Sequence, residues 1–345
     1  MRRMLAFLGF AGCALAAAAQ SVPVTVTRTQ LADGIHQFSV ASDGYVENLN
    51  SVVIVGDPDV LVFDTTTRPL TARTIIAEIR KLTAKPVRYV VNSHWHPDHW
   101  IGNVAFAEAF PGLEIIATEQ ERNYMLNMSA SWAKTLPPQV DALAKALAEN
   151  SSLTPQARAR EEQELQRSRE MLAELVAARR VYPTITYTDE LTLYRGGREF
   201  RFMSVTGDAR GTTVLYLPAE KILVAGDVVT HPLPYYTPPL AEHAKSLRAL
   251  ARLDADIIVP GHGPAFRDKS YMNLQADLFD EIVRQVTNAL RGGAVTIDEV
   301  QAAVKLDAFR DRFAAGNEEV ARNFPNFARG MVRRAYIDLR DGKER

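Results

Sequence analysis

The stretch Asn92-Ser93-His94-Trp95-His96-Pro97-Asp98-His99-Trp100-Ile101-Gly102-Asn103 constrains this chain more than any other. Three of the seven histidines and one aspartate fall within six residues. A single loop histidine is ordinarily solvated or hydrogen-bonded. Three imidazoles with an interposed carboxylate instead collect the nitrogen and oxygen donors that a borderline metal such as zinc takes. The apolar run Val87-Arg88-Tyr89-Val90-Val91 before it reads as a strand, and Trp100 to Phe110 after it reads as a helix. The donors therefore sit on a strand-to-helix loop, where alternate side chains can be aimed at two neighbouring ions.

The rest of the composition sets bounds. The 345 residues are 47% hydrophobic and 23% charged, ordinary for a soluble protein of one large or two modest domains with a sizeable core. A formal charge of −1 gives no reason to expect nucleic acid or an anionic membrane as partner; a small-molecule substrate is expected instead. Arg2-Arg3, the apolar run Leu5 to Ala19 and the small residues Ala17-Ala18-Ala19 read as a secretory signal peptide over residues 1–19, too short for an anchor. Export, to a periplasm, is the expectation. The one cysteine, Cys13, lies inside that segment, and Phe10-Ala11-Gly12-Cys13 fits a lipoprotein box less well than the alanine run fits ordinary cleavage. The mature chain would then have no disulfide and no thiolate ligand.

Along the chain, residues 20–118 alternate strand and helix. Ile35 to Val40 is a strand, Ser51 to Val55 and Val60 to Phe63 are strands joined by Gly56-Asp57-Pro58-Asp59, and Leu70 to Leu82 is a helix with Ile75, Ile76 and Ile79 at helical spacing. Asp64 closes its strand, either as a turn residue or as the carboxylate that orients a ligating histidine. Residues 119–181 break the alternation with a helical insertion, in which Thr154-Pro155 starts a helix that runs to about Arg180. It is either a coiled-coil-like decoration or a lid with Tyr124, Met128 and Trp132 facing substrate. Strands return over residues 184–260, with a helix from Ala241 to Leu253. Residues 266–345 are a helical extension, in which Thr296-Ile297-Asp298-Glu299 is a capping box.

Two further motifs complete the donor set. Ala225-Gly226-Asp227-Val228 places a carboxylate directly after a buried strand, and Pro260-Gly261-His262-Gly263-Pro264 does the same with a histidine. With these motifs in this strand order, the chain resembles the metallo-β-lactamase superfamily, and its Gly-His-Gly and Gly-Asp-Val look more like the glyoxalase-type and broad-hydrolase branches than the cysteine-bridged lactamases. The resemblance implies an α/β, four-layer αββα metallo-β-lactamase sandwich over residues 20–265. It implies that His94 and His96 bind a first metal, that Asp98, His99 and His262 bind a second, and that Asp227 bridges them. It implies a hydrolase in which a metal-activated water attacks a lactam, lactone, ester or thioester, with Asp98 orienting the nucleophile or passing its proton. One or two zinc ions are implied, with iron or manganese as alternatives.

One position departs from that pattern. The family's G-H-T-x-G histidine falls on Asp208 in Gly207-Asp208-Ala209-Arg210-Gly211, and no histidine occurs between His99 and His231. Either Asp208 is a metal ligand in the missing histidine's place, or it is a turn residue and the first metal is weak or absent. His231, just past the Asp227 strand, is either a substrate ligand or proton donor in the cleft or a solvated loop histidine. His243 is expected at the surface of a charged helix, and His36 is expected to be structural. Two other readings stand beside the hydrolase: an iron-dependent oxygen or sulfur redox enzyme on the same fold, and a non-catalytic binding protein whose metal centre has decayed at Asp208.

Overall fold

The computed structural model describes residues 24–42, 47–236 and 239–341, without the side chains of residues 42, 47, 129–136, 139 and 341. The proposed signal segment, Cys13 and the Trp132 side chain lie outside the described residues.

The first half runs β1 (Val26–Ala32), β2 (Ile35–Ser42), β3 (Glu47–Val55), β4 (Val60–Phe63), α1 (Pro69–Leu82), β5 (Val87–Val91), α2 (Pro97–Trp100), α3 (Asn103–Ala109) and β6 (Glu114–Thr118). A long hairpin follows, α4 (Glu119–Glu149) and α5 (Pro155–Ala177). The second half runs β7 (Ile185–Tyr187), β8 (Glu190–Arg195), β9 (Arg198–Thr206), β10 (Arg210–Leu217), β11 (Ile222–Thr230), α6 (Leu240–Ala251) and β12 (Ile257–His262). The chain closes with α7 (Ser270–Arg291), α8 (Ile297–Ala303), α9 (Asp307–Ala314) and α10 (Glu318–Asp341).

The strands form two half-sheets that pack face to face. Ile54, Phe63 and Val91 from one half interdigitate with Phe202, Leu215 and Val259 from the other. Outside the first half-sheet, Ile75, Ile79 and Phe106 of α1 and α3 cover Val62 and Val90. Outside the second, α6 and α7 bring Leu247, Met272 and Phe279 against Leu223 and Ile258. This is the expected αββα sandwich. The halves are stitched where β12 meets β3, through the pair His262↔Leu49. The seam of the sandwich is thus a residue expected to hold metal.

Local chemistry accounts for some boundaries. The Thr154 hydroxyl accepts from the Ala157 amide at the start of α5, and Thr296 with Glu299 closes a capping box on α8. Three readings need correction, and one strand, β1, was not foreseen. Trp100 to Phe110 is not one helix: it is α2 and α3, broken at Ile101-Gly102. Gly102 packs so close to the Thr65 carbonyl that a Cβ there would lie 1.9 Å from the oxygen, and its amide donates to Thr66 rather than into a continuous helix. Asp227 and His262 do not follow their strands but lie within them, since β11 runs to Thr230 with a bulge at Gly226 and β12 runs to His262. β1 carried no strand signal, because most of it faces outward and shows no alternation. His243 is fully buried rather than at the surface. Its Nε2 donates to the Val228 carbonyl at 2.9 Å, and its ring packs on Phe279.

Candidate metal centre

The metal loop is built to be rigid before any ion is considered. β5 delivers Asn92 and Ser93 into the seam, where the Asn92 side chain donates to the His99 carbonyl at 3.0 Å and to Asn103 Oδ1 at 3.0 Å. The Trp100 indole donates back to the Trp95 carbonyl at 2.9 Å. Pro97 opens α2, so Asp98 and His99 sit in its single turn. The insertion supports this turn from outside: Met125 of α4 and Met171 and Leu175 of α5 bury Trp100 and Ile101. Glu174 of α5 is pinned to the sandwich by the Arg68 guanidinium at 2.7 Å and the Leu70 amide at 2.5 Å. Tyr124 of α4 lies 6.2 Å, ring to ring, from Trp95, which is 4.4 Å from His96, so the insertion borders the metal loop at its flank.

Seven sequence-predicted residues converge here. His94, His96, Asp208 and Asp227 place ligand atoms within 4.8 Å of one another, and so do Asp98, His99, Asp227 and His262. Asp227 belongs to both groups. His94 Nε2 lies 2.9 Å from His96 Nδ1 and 3.8 Å from Asp227 Oδ2, and His96 Nδ1 lies 3.2 Å from Asp208 Oδ2. On the other side, Asp98 Oδ2 lies 3.1 Å from His99 Nε2 and 3.2 Å from His262 Nε2, while Asp227 Oδ2 lies 3.4 Å and 3.6 Å from the same two nitrogens. Gly261 makes room for the shared carboxylate, since a Cβ there would lie 1.8 Å from Asp227 Oδ1. Asp208 is 4% exposed in the turn between β9 and β10, and its amide donates to the Asp227 carbonyl at 3.2 Å. His231 stands apart from both groups, beside His262 in a neighbouring cavity, with its ring 5.1 Å from that of Tyr271.

The residues fit a divalent metal. His99 Nε2 and Asp227 Oδ1 are buried and make no hydrogen bond among the described residues, although buried polar atoms are otherwise satisfied as a rule. Electrostatics point the same way. Burial lowers the proton affinity of His99, but the carboxylates of Asp98, Asp227 and Asp64 outweigh it and hold the imidazole well above its ordinary range. His262 is pushed up to about 9 against its burial by Asp227 and Asp98. His94, buried and facing the other two histidines, is driven well below its ordinary range. Protons on His99 and His262 thus balance charge that a pair of cations would balance better, and metal binding would release them.

Several positioning residues were not singled out by the sequence. Asn50 donates to the Pro260 carbonyl at 2.9 Å and to the Gly263 carbonyl at 2.6 Å, and Gln37 donates to Asn50 Oδ1 at 2.7 Å, so this pair holds the turn that presents His262. Both lie among other polar residues of their strands, so the local sequence carried no signal for them. Tyr235 packs its ring 5.1 Å from His262, and burial together with Asp227, Asp98 and Asp208 raises its hydroxyl well above the usual phenol range. Its sequence context, a loop rich in proline and tyrosine, carries no signal either.

The profile of the metallo-beta-lactamase superfamily matches residues 44–262, which include every residue of both donor groups. The chain belongs to the metallo-β-lactamase superfamily. Among curated relatives of this superfamily protein is a linear primary-alkylsulfatase of a Pseudomonas strain, 26% identical over 282 residues. That match covers 77% of this chain and 51% of the relative, so the chain spans about half the length of the relative it matches. Among solved structures, a stereoselective inverting sec-alkylsulfatase of Pseudomonas sp. superposes with a TM-score of 0.63 at 19% identity, covering 91% of this chain and 50% of that one. A beta-lactamase domain protein of Burkholderia ambifaria superposes at 0.61 with 16% identity, covering 93% of this chain and 92% of its own. At these identities the structures show a shared fold, and the superfamily is one that binds divalent metals.

Proposed function

We propose that this chain is a metal-dependent hydrolase that cleaves sulfate monoesters of small alcohols, R–O–SO3− + H2O giving R–OH and HSO4−. The observation that carries the reading is the pair of buried donor groups joined by Asp227, with Asp208 in the first of them. Three carboxylates, Asp98, Asp208 and Asp227, offset most of the charge of two divalent ions. Counting the ligands alone, one positive charge is left, which suits a singly charged sulfate ester better than the larger charge that a histidine at position 208 would leave. The likeness to an alkylsulfatase over 77% of the chain supports the same substrate class. Sulfate esters were not among the substrates that the sequence suggested.

His94, His96 and Asp208 would hold one ion, Asp98, His99 and His262 the other, and Asp227 both. The nitrogen and oxygen donors suit zinc, with manganese or iron as alternatives. When bound, the ions would supply Lewis acidity toward an ester oxygen and lower the pKa of water. The protein's own groups do the rest. Asp98 Oδ2, between the His99 and His262 nitrogens, is placed to take a proton from water. Tyr235, kept protonated by burial and by its acidic neighbours, is placed beside His262 to donate a hydrogen bond to the departing alcohol oxygen. His231, kept neutral by burial, is a proton relay at the cavity beside His262. The reading includes export after removal of residues 1–19, which amino-terminal sequencing of secreted protein tests.

The test is a panel assay of purified protein reconstituted with zinc, manganese or iron, using hexyl sulfate, 4-nitrophenyl acetate, a γ-lactone and a β-lactam. Metal-dependent sulfate release, faster than turnover of the other three, is expected. Preference for the lactam or lactone would remove the sulfate-ester assignment. Two bound metals with no hydrolysis of any member would remove the hydrolase reading.

A further inference from the structure

A cavity of about 290 Å³ lies beside the metal centre, bordering it at His262, and the C-terminal extension supplies one of its walls. His262 and Tyr235 form the end nearest the metals, and Leu233 forms a side. The opposite wall is α10, through Val320, Asn323 and Phe327. That wall is fixed. Asn317 Oδ1 accepts from the Glu319 and Val320 amides, and Val320, Phe324 and Ala328 are buried against the second half-sheet's helices. Gly330 of α10 lies so close to Tyr236 that a Cβ would fall 1.5 Å from the phenol oxygen. The helix therefore abuts the same loop that carries Tyr235, and the two sides of the cavity are held at a set spacing.

The lining decides what fits. His262 and Tyr235 are the residues that the cavity shares with the surroundings of the metal centre. About 290 Å³ is room enough for a short organic group. Leu233, Val320 and Phe327 offer apolar contact, while Asn323 and Tyr235 offer hydrogen bonds. Among the described residues Glu319 lines it as the one carboxylate and no lysine or arginine lines it, so a second anionic group is disfavoured.

We propose that this cavity receives the organic group of the substrate, the part released as the alcohol, and that α10 selects a short, uncharged group with some hydrogen-bonding capacity. The proposal rests on the hydrolase reading for its place in the reaction, but its occupancy can be measured without turnover. In a Cys13→Ser background, Asn323→Cys puts a thiol on the α10 wall. Its rate of maleimide labelling should fall about tenfold, saturably, in hexan-1-ol and stay unchanged in adipate, a dianion of similar length. In parallel, Phe327→Ala should shift the chain-length optimum for straight-chain alkyl sulfates to longer chains, raising kcat/KM for a chain past the wild-type optimum by about tenfold. Phe327→Leu serves if the alanine variant fails to fold. Protection by hexan-1-ol in a protein that hydrolyses no ester would leave the cavity assigned and sink the hydrolase reading. Labelling indifferent to hexan-1-ol, or slowed equally by adipate, would sink the cavity proposal, as would an unaltered chain-length profile in an active Phe327 variant.

Discussion

Asp64 Oδ2 lies 2.8 Å from His99 Nδ1, and Oδ1 of the same carboxylate accepts from the Ser93 amide at 2.7 Å. One buried side chain therefore holds the metal loop where it leaves β5 and again at its last histidine. With Nδ1–H donating to Asp64, Nε2 of His99 is turned toward Asp98 and Asp227, and it is the proton on Nε2 that a metal would displace. Asp64 is also the turn residue that its sequence position suggested: it sits at φ +61, and its carbonyl accepts from Ser51 Oγ at 2.6 Å. The two readings open for it are both satisfied, because the backbone turn is what swings the carboxylate under the loop.

Asp64→Ala should therefore weaken the centre without touching a ligand. A loss of about 10- to 100-fold in metal affinity or activity is expected. Asp64→Asn should fall between, since one amide oxygen cannot serve both His99 and Ser93. Titration with a chelating competitor and steady-state kinetics report the two quantities. Affinity and turnover both within twofold of wild type would show that Asp64 serves the turn alone.

Asp208 is argued to be the third donor to the first ion, from its position 3.2 Å from His96 Nδ1. Asp208→Ala should bind about one metal equivalent fewer and lose at least the 10- to 100-fold typical of losing even an outer partner of a metal. Asp208→His should keep two equivalents with altered substrate preference. Elemental analysis of dialysed protein decides it: two tightly held metals and unchanged turnover in Asp208→Ala would reduce this residue to a turn.

Gly102→Ala tests the break between α2 and α3. The added Cβ meets the Thr65 carbonyl at 1.9 Å, a backbone atom that cannot rotate away. Destabilisation of about 1–3 kcal/mol is expected, read from urea unfolding of metal-free protein. The metal loop should shift with it, so metal affinity should fall as well. A variant as stable as wild type would show that Thr65 to Thr67 yields easily.

His243 supplies a pH prediction away from the centre. Burial lowers its proton affinity below the ordinary value of 6.5, and the Val228 carbonyl only partly restores it. The unfolded chain thus binds a proton that the folded chain resists. The contribution of His243 is fully present above about pH 6.5 and is lost as pH falls below it. Urea unfolding at pH 7.5 and 5.5 should show a smaller acid-side loss in His243→Gln than in wild type. An equal loss in both would place the acid sensitivity elsewhere.

The sequence by itself marked the donors of the H-x-H-x-D-H run, whose spacing along one short stretch of backbone dictates their proximity, and its resemblance to a known family implied the sandwich and the remaining donors. Periodicity gave α1, α6 and α7, and the polar caps at Thr154 and Thr296 gave two helix starts, since a cap is satisfied within a few residues of itself. Tertiary structure decided what depends on residues far apart in the chain. Asp208 and His96 are 3.2 Å apart only because β10 is brought into the seam beside the metal loop. The break at Gly102 is set by the Thr65 carbonyl, a partner invisible to helical periodicity. His243 was read as exposed from its charged neighbours, although it lies on the stripe of Leu240, Ala244, Leu247 and Leu250; which partners that stripe meets, β11 and α7, is what the packing decided. The cavity wall on α10 comes from the end of the chain and meets His262 only after the two helix layers have closed. Burial and long-range contact are properties of the packed whole, and no local pattern of residues encodes which distant surface a side chain will meet.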